Sequence, residues 1–114
     1  MHIVDVSEFY SDFGGGVRTY VRQKLEASAR VGLRTTVIAP GPADKREVRP
    51  GGEIIFLRSP MLPFDHRYHL FGDMRPAHRL LDELKPDIVE ASSSWQGARI
   101  VANWRGDAAR ALFL

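Results

Sequence analysis

Three consecutive glycines, Gly14-Gly15-Gly16, stand between a buried-strand pattern, His2-Ile3-Val4-Asp5-Val6, and a helix pattern that opens at Val17. Glycines there let the backbone take φ > 0 and let a ligand approach main-chain N–H groups with no Cβ in the way. The helix beyond them begins with unpaired N–H donors and partial positive charge, which suits a phosphate. A simple flexible turn is the plainer reading of the same residues. The helix carries Val17, Tyr20, Val21, Leu25, Ser28 and Ala29 on one face, which places Tyr20 in the core. Gly32 is positioned to stop it in the left-handed conformation.

The rest of the chain repeats the alternation of strand and helix. A β-branched run, Arg34 to Ala39, predicts a second strand ending at Pro40. Residues 40–52 hold Pro40-Gly41-Pro42 and Pro50-Gly51-Gly52 with charges between, and read as a mobile connection. A third strand is predicted over Glu53–Leu57, and a long loop over Arg58–Gly72. A helix from about Asp73 has Met74, Ala77, Leu80, Leu81 and Leu84 inward and ends before Pro86. A strand over Asp87–Ala91, a helix over Trp95–Trp104 and a last strand from Arg110 to Leu114 complete the pattern. Ser94 is the expected N-cap of that last helix.

This alternation predicts an α/β, Rossmann-like, doubly wound parallel sheet, folded as one domain of 114 residues. In such sheets ligands gather at the carboxyl ends of the strands. Three loops follow strands and converge there: Ser7–Gly16, Arg58–Gly72 and Ser92–Trp95.

Several chemistries are excluded by what is missing. A dinucleotide fingerprint requires glycine at position 19 and an acid ending the second strand, where Thr19 and Ala39-Pro40 stand; there is no Gly-Lys-Ser/Thr of a P-loop. A receiver-type phosphoacceptor site needs acids at the ends of strands one and three. Asp5 fits the first, but the third strand ends Phe56-Leu57-Arg58. The chain has no cysteine, hence neither a disulfide framework nor a thiolate nucleophile. Metal ligation by His66, His69 and His78 lacks a supporting carboxylate pattern, so no metal or cofactor is expected. Ser92, Ser93 and Ser94 lack the Gly-x-Ser-x-Gly context of a nucleophile. Glu8 and Asp12 read as solvated loop carboxylates, His78 as half-buried, and Trp104 as structural.

Charge narrows the partners. Thirteen of the 16 basic residues are arginine, scattered without a like-charge block, and the net charge is only +2. Nucleic-acid binding is not expected; peripheral contact with an acidic membrane surface stays open. The chain starts directly in a strand with no leader pattern, and no apolar run nears the roughly 20 residues of a membrane span. A cytoplasmic location is expected.

The opening MHIVDVSEFYSDFGGGVRTYVRQKLEASARVGLRTTVIAP, the loop with Tyr68 and Phe71, the run LDELKPDIVEASS and the small apolar final strand occur in the order seen in one family. Together they resemble the N-terminal domain of retaining, GT-B-fold glycosyltransferases of family GT4, which includes sucrose-, mannosyl- and lipopolysaccharide-glycosyl transferases. The second strand departs from the family's G-H-x-V-x-V by one spacer residue. Glu90 and Ser92 stand where histidines are common. The resemblance implies an acceptor-side domain whose donor-binding partner domain, with its acidic nucleotide-sugar motif, is absent from these 114 residues. It implies transfer from a nucleotide diphosphate sugar to a hydroxyl acceptor, with no activity for this domain alone. Gly14, Gly15 and Gly16 would face the donor's phosphates; Tyr68, His69, Ser93, Ser94 and Trp95 would face the acceptor. Trp95 is otherwise a packing residue. A stand-alone α/β module that binds a phosphate ligand or a partner is the alternative, and a sugar epimerase of similar fold is a second. Without a partner domain, a surface around Trp95, Phe64 and Phe71 would be bared, and self-association is expected.

Overall fold

A computed structural model describes residues 1–8, 10, 16–92 and 95–112, with the backbone alone described at 16 and 65–68. A six-stranded sheet in the order β3-β4-β2-β1-β7-β8 forms its centre. The strands are β1 (His2–Val6), β2 (Arg34–Gly41), β3 (Lys45–Arg49), β4 (Gly52–Arg58), β7 (Ile88–Ala91) and β8 (Ala109–Leu112). All neighbouring pairs are parallel except β3 with β4. A separate hairpin pairs β5 (Met61–Leu62) with β6 (Asp65–His69).

Strand alternation sorts the core into two layers. Val4, Val6, Ile38, Val89 and Ala91 point to one face, where they meet Ala77, Leu80 and Leu81 of α2 (Arg75–Leu84) and Ile100 and Val101 of α3 (Gln96–Asn103). Val37, Ala39, Ile54 and Phe56 point to the other, against Val21 and Leu25 of α1 (Gly16–Val31). Helices on both faces explain why the strands read as continuous apolar runs. The Rossmann-like, doubly wound α/β fold expected from the sequence is the fold observed.

The ends of the helices follow local chemistry. Gly32 has φ 74° and the Leu33 N–H donates to Ser28 O at 2.9 Å, closing α1 as expected. Ser28 also pairs its hydroxyl with Thr35 at 2.7 Å, satisfying two buried polar groups between α1 and β2. Trp104 is buried and donates its indole N–H to Asp82 at 2.9 Å, the structural role expected of it. Arg110 of β8 lies over its ring at 5.5 Å and donates to Val101 O at the end of α3.

The segment Arg58–Gly72, expected as a loop, holds the β5–β6 hairpin, and two further expectations are corrected here. Residues 40–52 are not an unstructured connection: β2 runs on through Pro40 to Gly41, and Lys45–Arg49 forms β3. Beyond Ile38 the second strand has only β4 beside it, so the missing Pro40 N–H leaves no ladder bond broken. The charged sequence of β3 hid it from apolar periodicity. As an edge strand it needs those charges to discourage pairing with other chains. Its turn is tight: a Cβ on Gly51 (φ 87°) would lie 2.0 Å from the Leu25 carbonyl oxygen. The second correction is Tyr20, which is 43% exposed rather than core. Ala29 is exposed too, so the buried stripe of α1 is only Val21, Leu25 and Ser28, flanked by Val17.

Candidate functional site

From β1 the chain winds outward through β2 to β4, then returns to the other side of β1 as β7 and β8. The switch point lies between the carboxyl ends of β1 and β7, where an open parallel sheet forms its crevice. Ser7 and Glu8 follow β1, Ser92 follows β7, and α1 and α3 both begin at this edge.

Glu8 is the first residue the sequence reading misplaced. It is only 2% exposed, and its carboxylate accepts from the N–H groups of Gln96 at 2.9 Å and Gly97 at 3.0 Å. Those are orphan donors of the first turn of α3. The N-cap position falls on Trp95, which supplies no side-chain cap, and a carboxylate from 88 residues away binds the helix end. Charge-assisted bonds to a positive helix end keep Glu8 buried instead of solvated. Glu8→Ala removes the acceptor of the part-buried Gln96 N–H and the buried Gly97 N–H. It is expected to lower stability by about 2–4 kcal/mol in urea unfolding, and to speed amide exchange at Gln96 and Gly97.

Beneath the crevice lies a second unforeseen group. Asp5 and Glu90 are directly opposite each other in the β1–β7 register, and Lys24 of α1 reaches both. Its ammonium lies 3.2 Å from the Asp5 carboxylate, bonds Glu90, and donates to the Tyr20 hydroxyl at 3.4 Å. Burial pushes the Asp5 carboxyl above its ordinary value; Lys24 opposes this only in part, and Glu90 adds to it. Burial by itself would lower the Lys24 value, but Asp5 and Glu90 outweigh it and hold the ammonium charged. Acids inside two apolar strands were the sequence signal for this cluster. Which strands adjoin was not legible.

The sequence-predicted residues fare unevenly. Gly14, Gly15, Ser93 and Ser94 lie outside the described residues, and Gly16 is the first residue of α1. The first turn of that helix carries no acid, so its positive end is not neutralised from within. Tyr68 is placed in β6 by its backbone. His69 lines a shallow hollow with Pro42, Arg58, Ser59, Pro60 and Met61, a wall that does not include Trp95. Trp95 is 44% exposed at the start of α3. The loops around them do meet: the Phe71 N–H donates to Gln96 Oε1 at 2.9 Å. A cavity of about 230 Å³ opens there between Phe71, Met74, Gln96 and Arg99. Phe64 is exposed as expected of a bared patch, but Phe71 is buried, since it packs into the α2–α3 layer. His78 is half-buried, as expected, and bonds Ile100 O through Nε2 at 2.9 Å.

Among the described residues no helix is long and apolar enough to cross a membrane. Comparison with curated proteins and with solved structures returned no match. Comparison with family models returned one, Glycosyltransferase Family 4, over residues 14–111. Among the described residues, that span holds all three helices and every strand but the first and the end of the last. A glycine-preceded helix at the switch point of a doubly wound sheet, matched across most of its length, places this chain in Glycosyltransferase Family 4.

Proposed function

We propose that this domain is the acceptor side of a GT-B glycosyltransferase that moves a sugar from a nucleotide diphosphate sugar to a hydroxyl acceptor. One observation supports it above the others: two helices start at the switch-point edge, with Glu8 held at the end of α3 and the glycine run leading into α1. The first turn of α1, which the glycines precede, carries no acid. Its N–H groups and dipole suit the negative charge that develops on a departing diphosphate. The acceptor is assigned to Tyr68, His69, Ser93, Ser94 and Trp95. The donor nucleotide is held by a second domain outside these residues. A chain without cysteine suits the reducing cytoplasm.

The 114-residue chain by itself is therefore expected to be silent. Incubated with a panel of uridine and guanosine diphosphate sugars, it should release no nucleoside diphosphate above the background of a heat-denatured control. Turnover by the isolated chain overturns the assignment of half a site.

A further inference from the structure

Away from the crevice, α1 and the β3–β4 turn enclose a cavity of about 160 Å³. Its floor is apolar: Val21 and Leu25 of α1 and Ile54 of β4 are all at most 2% exposed. Its rim is cationic, with Arg18 and Arg22 one turn apart on α1 and Arg49 at the end of β3 facing them. Glu26 is the acid of that lining, which leaves three guanidinium groups against one carboxylate. Arg49 pairs with Glu47 at 2.7 Å, a contact that uses part of a five-donor fork.

The cavity is held open by rigid parts. The turn at Pro50-Gly51-Gly52 presses on α1 so closely that a Cβ on Gly51 would strike the Leu25 carbonyl. The Gly51 carbonyl is fixed by the Thr35 N–H at 2.9 Å. All three arginines stand on a helix or a paired strand. The walls thus need little rearrangement on binding.

We propose that this cavity binds a small amphiphilic anion, a single ring or short alkyl group carrying a phosphate or carboxylate. Size sets the apolar part: a cavity of about 150 Å³ lined by aliphatic and aromatic side chains accommodates benzene. Charge sets the polar part, since guanidinium forks match carboxylate and phosphate oxygens in pairs. Neither feature suffices alone. A neutral apolar ligand makes no use of the guanidinium groups, and a bare anion leaves the floor empty.

The site is tested by titrating the 114-residue chain with phenyl phosphate and following backbone amides by NMR. Inorganic phosphate and benzyl alcohol serve as single-feature controls. Saturable shifts are expected at Arg22, Leu25, Glu26, Gly51 and Gly52, with affinity at least about tenfold above either control. Replacing Arg22 and Arg49 together by glutamine is expected to weaken phenyl phosphate by about tenfold or more. Both positions are at the surface, so the urea midpoint should hold, and benzyl alcohol binding should change little. Equal responses to phenyl phosphate and inorganic phosphate overturn the proposal, as does the absence of saturation. Shifts confined to Gly16 and Val17 also overturn it; they report the helix end invoked for the donor, so the two readings fail separately.

Discussion

Lys24→Met is expected to cost about 3–5 kcal/mol, the loss typical of leaving a buried charge without its partner. That is a large share of the roughly 5–15 kcal/mol that holds a domain together. The loss is large because two carboxylates, Asp5 fully buried and Glu90 partly so, would face each other across the β1–β7 ladder with no cation between them. Its pH dependence identifies the cause. Asp5 already has a raised value in the folded chain. Its favourable contribution is therefore complete below the ordinary carboxylate value of about 3.9 and is lost as pH rises through the folded value. Removing Lys24 raises that folded value further and widens the window. The raised Lys24 value of the parent chain contributes stability below about 10.4 that is lost only in strong alkali. Urea unfolding at a series of pH values should thus show the gap between Lys24→Met and the parent narrowing as pH falls toward 4. Adding Asp5→Asn to the variant should recover part of the loss at pH 7. Coincident unfolding curves at pH 7 would show that the cluster is solvated and contributes nothing.

In an enzyme carrying both halves, Gly15→Val is expected to lower kcat/KM by about 10²–10³, or about 2.7–4 kcal/mol of transition-state stabilisation. A Cβ and two methyl groups would stand where the proposed function brings main-chain N–H groups to the diphosphate. Gly15 itself lies outside the described residues, so the argument rests on its place in the glycine run and on the helix that opens at Gly16. The fold should tolerate the change, because Gly15 stands in the connection between β1 and α1 and in neither element. Circular dichroism and urea unfolding alongside the kinetics separate the two effects. A folded variant with unchanged kcat/KM would reduce the glycine run to a turn.

Regular elements were legible in the sequence where one local period governed them. The β1, β2, β4 and β7 strands are short apolar runs between turn residues, and α2 shows its stripe of Ala77, Leu80 and Leu81 before the Lys85–Pro86 stop. The alternation of these units was sufficient for a doubly wound sheet, because parallel neighbours require crossover helices. The family match over residues 14–111 agrees with the resemblance carried by the opening segment and the KPDIVE run. β3 was not legible, since an edge strand made of Lys45, Arg46, Glu47 and Arg49 has the composition of a loop. Tyr20 was misplaced because a helical stripe says which residues share a face, not how much of that face the sheet covers.

Local sequence determined which strands are buried and where a helix begins beside the glycine run. Tertiary structure alone decided the partners of the charged groups. Glu8 reads as an exposed loop acid until α3, 88 residues later, brings two N–H donors to it. Asp5 and Glu90 are ordinary carboxylates until β1 and β7 pair and Lys24 is laid across them. Backbone preference acts over a few neighbouring residues and can be read along the chain. Burial and charge pairing depend on which distant segments share a face, and only the folded sheet brings those together.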